Sequence, residues 1–199
     1  MNLASPSPFL LSHIAFIALL MLMKPTAAAQ SGIWINITDG HWSDTVNWNG
    51  GIVADGSGNT ADFSTLNITE VGPFDGPGVD LDVALTIGHL IFGDTLPSNN
   101  WELYSSSFQV LTLSATSPTI NVVNQTAVIN VALAGTSGFT KLGAGTLTLN
   151  TASTYTGGTV INAGTLRVNT SGATSTDTII FAGGTLFLGL PADGNLLNP

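Results

Sequence analysis

An all-β chain wound as a parallel β-helix, a solenoid with an irregular N-terminal capping region, is the fold class this sequence predicts, and three observations predict it. The phrase GTLTL at 145–149 returns as GTLRV at 164–168 and again as GTLFL at 184–188. From residue 30 onward no apolar spacing of 3, 4 and 7 occurs, and short alternating or β-branched runs stand in its place. Clusters of Gly, Asn, Asp, Pro and Ser separate those runs, as turn chemistry requires.

The N-terminus is set apart first. Residues 9–23, FLLSHIAFIALLMLM, form an apolar run, followed by Lys24, Pro25 and TAAAQ at 26–30. Ala27 and Ala29 are the small residues at −3 and −1 that a signal peptidase needs, so 1–29 is expected to be a cleaved secretory signal. The run is short of the ~20 residues that span a bilayer, which weighs against an uncleaved anchor.

The next stretch, 30–103, is expected to be an acidic β region that caps the solenoid. It holds the strand-like runs IWINI 33–37, TADF 60–63, VDLDVAL 79–85 and HLIF 89–92. Ten carboxylates, Asp39 to Glu102, lie here, while 103–199 carry only Asp177 and Asp193 against Lys141 and Arg167. Without the signal, two cations face twelve carboxylates, a net charge of −10. Phosphate-driven binding of nucleic acid is thereby excluded as a function class. No cysteine is present, so stability has to come from burial and hydrogen bonding.

Residues 104–199 are expected to form the regular coils, through FQVLTL 108–113, TINVV 119–123, AVINVAL 127–133, the GTL phrases and TVIN 159–162. Aligning the three phrases sets Leu147, Leu166 and Leu186 in one column and Leu149, Val168 and Leu188 in another. Alternate side chains of a strand share a face, so these columns point inward together. Thr148, Arg167 and Phe187 form a variable column on the other face, as solvent contact allows. A period of 19 or 20 residues lets the chain make strand, turn, strand and turn, then return about 4.8 Å along an axis. Gly143, Gly145, Gly157, Gly158, Gly164, Gly183 and Gly184 are the candidates for corners at positive φ. An antiparallel sandwich or barrel has similar composition but no reason to repeat a phrase at fixed period.

The segment 138–168, GFTKLGAGTLTLNTASTYTGGTVINAGTLRV, resembles the autotransporter-associated β-strand repeat, also called the passenger-associated transport repeat. The resemblance rests on Lys141, Gly143, Gly145-Thr146-Leu147 and Leu149, then Thr154-Tyr155-Thr156-Gly157-Gly158-Thr159, then Asn162-Ala163-Gly164-Thr165-Leu166 and Val168. Upstream, Trp34, HWSDTVNWNG 41–50 and NTADFS 59–64 are similar to the leader of large bacterial surface proteins carrying that repeat. What this implies is a bacterial, exported, right-handed β-helical passenger; a catalytic site is not implied.

Residues with chemical potential are few. Asp80 and Asp82 in GVDLDV are expected on one strand face, joined by Asp75, where clustered carboxylates could serve a polysaccharide lyase or hydrolase. The plainer reading is two carboxylates on the wet face of a rung. His41 and His89 are far apart with no partner at metal spacing, and nothing like G-x-S-x-G accompanies them. Trp34, Trp42, Trp48 and Trp101, with Tyr104 and Tyr155, could stack sugars. Alternatively Trp34, Trp42 and Trp48 close the open end of the solenoid. On the bacterial reading that this resemblance implies, the N-x-[ST] sequons at Asn36, Asn67, Asn124 and Asn169 are chance matches in a chain rich in Asn and Thr.

No catalytic, cofactor-binding or metal residue is therefore assigned, and no cofactor is expected. The expected function is a non-enzymatic, secreted or cell-surface stalk with an adhesive or envelope-contact role; the alternatives are a carbohydrate-active β-helix and a glycan-binding module. Surface glycans or ligands on host or neighbouring cells are the partner classes. The outer-membrane secretion partner is expected on a further segment or a separate chain, with the repeats truncated at the C-terminus.

Overall fold

The computed structural model describes residues 29–69 and 76–189, so the signal expected at 1–29 falls, but for its last residue, outside the described residues. In chain order the strands are β1 (Gly32–Ile33), β2 (Gly40–His41), β3 (Gly56–Phe63), β4 (Gly78–Asp80), β5 (Leu85–Phe92), β6 (Trp101–Tyr104), β7 (Val110–Leu113) and β8 (Thr119–Val122). They continue as β9 (Thr126–Ile129), β10 (Ala132–Ala134), β11 (Phe139–Leu142), β12 (Thr146–Leu149), β13 (Thr159–Ile161), β14 (Thr165–Val168), β15 (Ile179–Phe181) and β16 (Thr185–Leu188). Two short 3-10 turns, Thr45–Asn47 and Asn49–Gly51, are the only helical residues among those described.

Successive coils stack their strands into two long parallel sheets. One runs β1-β3-β5-β8-β11-β13-β15, with β7 and β10 paired at its side, and the other runs β2-β4-β6-β9-β12-β14-β16. This is the predicted β-solenoid. The first coils are long, since Gly40 pairs with Val79 and Trp101 with Ala127. The later ones settle to the expected period: Thr126, Thr146, Thr165 and Thr185 stand in register. β6 crosses residues 103–104 and pairs on both sides, so the sheets continue from the acidic region into the repeats.

The interior is built of files, one side chain per coil. Leu147, Leu166 and Leu186 are paired side by side in parallel strands; the first two are fully buried and Leu186, on the last described rung, is partly so. The second file runs Val79, Leu103, Ile129, Leu149 and Val168. Across the core a third runs Ala61, Leu90, Ile120, Lys141 and Ile161, with a lysine in an otherwise apolar column. Each buried Leu or Ile contributes about 1.5–3 kcal/mol by leaving water.

Four of the seven proposed corner glycines, Gly143, Gly157, Gly164 and Gly183, take positive φ. Gly145, Gly158 and Gly184 do not, and the reason for glycine there is space. A Cβ on Gly145 would lie 2.7 Å from the carbonyls of Asn124 and Gln125 on the preceding coil. Gly164 meets both demands, with φ at 63° and a would-be Cβ driven into the Gly145 carbonyl. Among the described residues two that are not glycine also sit at positive φ, Phe108 and Gln125.

The N-terminal end is closed in two ways. The segment after the first rung returns antiparallel along β1, through the bridges Gln30 to Asp55 and Trp34 to Trp48. This shields an edge that would otherwise offer free N–H and C=O groups. Beneath it Trp34, Trp42 and Trp48 surround Phe63, with ring centroids 5.7, 5.4 and 5.7 Å away, and Phe92 stacks on Phe63 at 5.1 Å. Each indole N–H is satisfied by a carbonyl: Trp34 donates to Asn36, Trp42 to Ala54 and Trp48 to Trp42. The expected cap is thus an aromatic plug.

Truncating the inner file, Leu166→Ala, is expected to cost about 2–5 kcal/mol in urea unfolding, because the rungs above and below cannot collapse onto the gap. An unchanged midpoint would show the column is not interior. Phe108 is 95 % exposed on a turn at φ 55°. Phe108→Gly should therefore stabilise the chain by roughly 1 kcal/mol, since a left-handed backbone is relieved and no packing is lost.

Candidate functional site

Asp80 ends β4, while Asp82 lies beyond the strand, where its N–H donates to the Asp80 carbonyl at 2.9 Å. The two do not share a strand face as the sequence pattern suggested, because the chain bends between them. Asp80 is buried and accepts from the N–H and hydroxyl of Ser106 on the following coil, at 2.9 and 2.7 Å. Asp82 reaches the other way and accepts from the N–H and hydroxyl of Ser43 on the preceding coil. Although burial works against it, the Ser43 hydrogen bonds hold the Asp82 carboxyl below the ordinary range. The pair therefore clasps three coils together. Asp75 lies outside the described residues.

His41, on β2, places Nδ1 3.2 Å from an Asp80 carboxylate oxygen, and His89, on β5 in the other sheet, bonds Thr119 at 2.8 Å. They are not brought together. Trp34, Trp42, Trp48 and Trp101 are at most 2 % exposed, and Tyr155 is buried with its hydroxyl on Thr159. A buried ring cannot stack a sugar, so the tryptophan-based glycan reading is corrected: these rings fill the solenoid. Tyr104 is half-buried, and burial, then the carboxylates of Asp80, Asp39 and Glu102, push its phenol up. Of the sequons, Asn36, Asn124 and Asn169 commit their amides to internal hydrogen bonds, and Asn67 is exposed.

Three features escaped the sequence reading. The first is an amide ladder. The Asn169 side chain donates to Asn150 at 2.9 Å, Asn150 donates to Asn130 at 2.8 Å, and Asn130 donates to Glu102. Its signal was legible, since AVIN, LTLN and LRVN each end in Asn one residue after the inward column. The ladder ends on a buried carboxyl whose second oxygen has no hydrogen-bond partner. Burial and the nearby Asp39 carboxylate push the Glu102 pKa up, the Asn130 bond only partly opposing them.

Lys141 is the second. Its Nζ donates to the carbonyls of Leu142 and Gly143 at 2.7 and 2.9 Å, and to Ala163 on the next coil at 3.2 Å. The aliphatic stem occupies the interior file while the ammonium saturates three corner carbonyls. Burial pushes that ammonium down to about 8. The third is Asp94, whose carboxylate accepts backbone N–H groups from Ile68, Leu96, Ser98 and Asn99 at 3.1–3.2 Å. Burial works against those four bonds, yet the carboxyl is held below its ordinary value. It pins the long turn after β5 to the preceding coil.

Glu102→Gln should stabilise the chain at neutral pH, because a neutral amide still offers an oxygen to Asn130 and no longer places a carboxylate charge in a buried position. The sign of the pH effect follows from a folded pKa above the unfolded one. The Glu102 contribution is fully present below about pH 4.5 and is lost as pH rises toward the raised folded value. Urea titrations across that window should slope downward in the wild type more than in Glu102→Gln; equal slopes would show that Glu102 is ionised at no cost. For Lys141, whose folded pKa is lowered, stability rises between about pH 8 and 10.5. Lys141→Met should cost roughly 1–3 kcal/mol at neutral pH through the stranded carbonyls and should lack that rise.

Residues 139–168 match the family model described as passenger-associated-transport-repeat, a span that takes in β11 to β14, two consecutive rungs of each sheet. The chain is also 33 % identical over 131 residues, 64 % of its length, to the Adhesin BmaC autotransporter of Brucella suis biovar 1 (strain 1330). That alignment spans 3 % of the adhesin's own length. No solved structure matches the chain. The clasps, the amide ladder and the lysine corner all serve to stack coils, and the rungs β11 to β14 on which Lys141 sits are the part of this β-solenoid that is similar to a passenger-associated transport repeat.

Proposed function

We propose that the chain is part of an exported, cell-surface passenger of the autotransporter type, a non-enzymatic stalk with an adhesive or envelope-contact role. The observation that carries this reading is the passenger repeat at 139–168, supported by the likeness to a curated autotransporter adhesin. A β-solenoid suits such a stalk, because each coil contacts only its neighbours and length is added without a larger core. Export across the outer membrane then requires a translocator, on a further segment or a separate chain. The engagement of Asp80 and Asp82 with Ser106 and Ser43 favours the stalk over a carbohydrate-active site.

An antibody against residues 29–189 should label intact cells of the producing bacterium, and deleting the chain should lower adherence to host or neighbouring cells. Labelling only after permeabilisation would overturn the surface assignment. Unchanged adherence would overturn the adhesive one.

A further inference from the structure

The outer face of the sheet formed by β9, β12, β14 and β16 carries two columns in register. One is Thr126, Thr146, Thr165 and Thr185; beside it run Val128, Thr148, Arg167 and Phe187. Between them lies a groove of about 310 Å³ lined by Thr126, Thr146, Thr148, Thr165, Arg167 and Phe187. The Arg167 guanidinium lies over the Phe187 ring, its Cζ 4.4 Å from the centroid, which limits its rotamer freedom. Lys141 is fully buried, so Arg167 is the one exposed Lys or Arg among the described residues, and it has no carboxylate partner there. The eight carboxylates of residues 39–102 that lie among the described residues belong to the coils before β9, and Glu102 stands in this same column three rungs from Arg167.

We infer that this groove binds an extended polysaccharide bearing carboxylates, a polyuronate, lying along the solenoid axis. Rungs recur every ~4.8 Å, close to the advance of one pyranose ring in an extended glycan, so each coil presents a threonine hydroxyl to one sugar. Arg167 takes a carboxylate through its forked N–H donors, which a lysine or a hydroxyl cannot reproduce. An extended peptide is disfavoured because a sheet face offers no free backbone edge for strand addition. Nucleic acid is disfavoured because one cation cannot replace a condensed counterion layer. The inference rests on the surface reading only for where such a ligand is met.

The test is calorimetric titration of the purified chain with a galacturonate oligomer and with its methyl ester, for the wild type, Arg167→Gln and Arg167→Lys. Charge-assisted hydrogen bonding predicts that esterification and Arg167→Gln each weaken binding about tenfold or more, with Arg167→Lys intermediate. Amide chemical-shift changes at Thr146 and Thr165, together with an unchanged melting temperature for Arg167→Gln, place the effect in the groove and separate it from folding. No heat of binding in the wild type, or equal binding by Arg167→Gln, would sink the inference and leave the cell-labelling result untouched.

Discussion

Everything in this molecule depends on coils returning to register. A parallel strand is stabilised only if its neighbour on the next coil starts at the same height, and the interior is dry only if each inward side chain meets its counterpart from the coils on either side. The pairing of Leu147 with Leu166 and of Leu149 with Val168 meets both demands at once. Tight corners are the consequence: the backbone must reverse within a few residues, against the backbone of the preceding coil. Gly164 lies so near the Gly145 carbonyl that no Cβ fits, and its φ is one that L side chains avoid.

Polar groups stacked along the axis obey the same constraint. A carboxamide carries both donor and acceptor, so identical asparagines stacked coil upon coil satisfy one another, as Asn130, Asn150 and Asn169 do. Glu102 ends that series where the repeat gives way to the longer coils, and a carboxylate cannot pass the pattern on. Lys141 shows the complementary solution. Three corner carbonyls converge where the strands turn, and a cation on a long apolar stem reaches them from inside the core.

The two halves of the chain manage their surfaces differently. In the acidic coils, carboxylates act as mechanical parts: Asp80, Asp82 and Asp94 bind backbone amides and hydroxyls of other coils or turns. In the repeat coils glycine corners and amides hold the stack, which leaves the outer face of β9, β12, β14 and β16 to threonines and Arg167.

The repeat coils were legible because their period is local: a fixed spacing and alternating aliphatics specify inward columns without knowledge of any distant contact. For Trp34, Trp42 and Trp48 the pattern left two readings open, and their burial around Phe63 decides for the interior. What the amino-acid sequence could not determine was partnership across unequal coils. Whether Asp80 would reach Ser106 and Asp82 reach Ser43 depends on loops of different length bringing those residues level. Only the sheet register places Lys141 in line with Ile120 and Ile161, inside a column of hydrocarbon. Register is a tertiary quantity, set by the sum of all corners before it, and only the wound chain decides it.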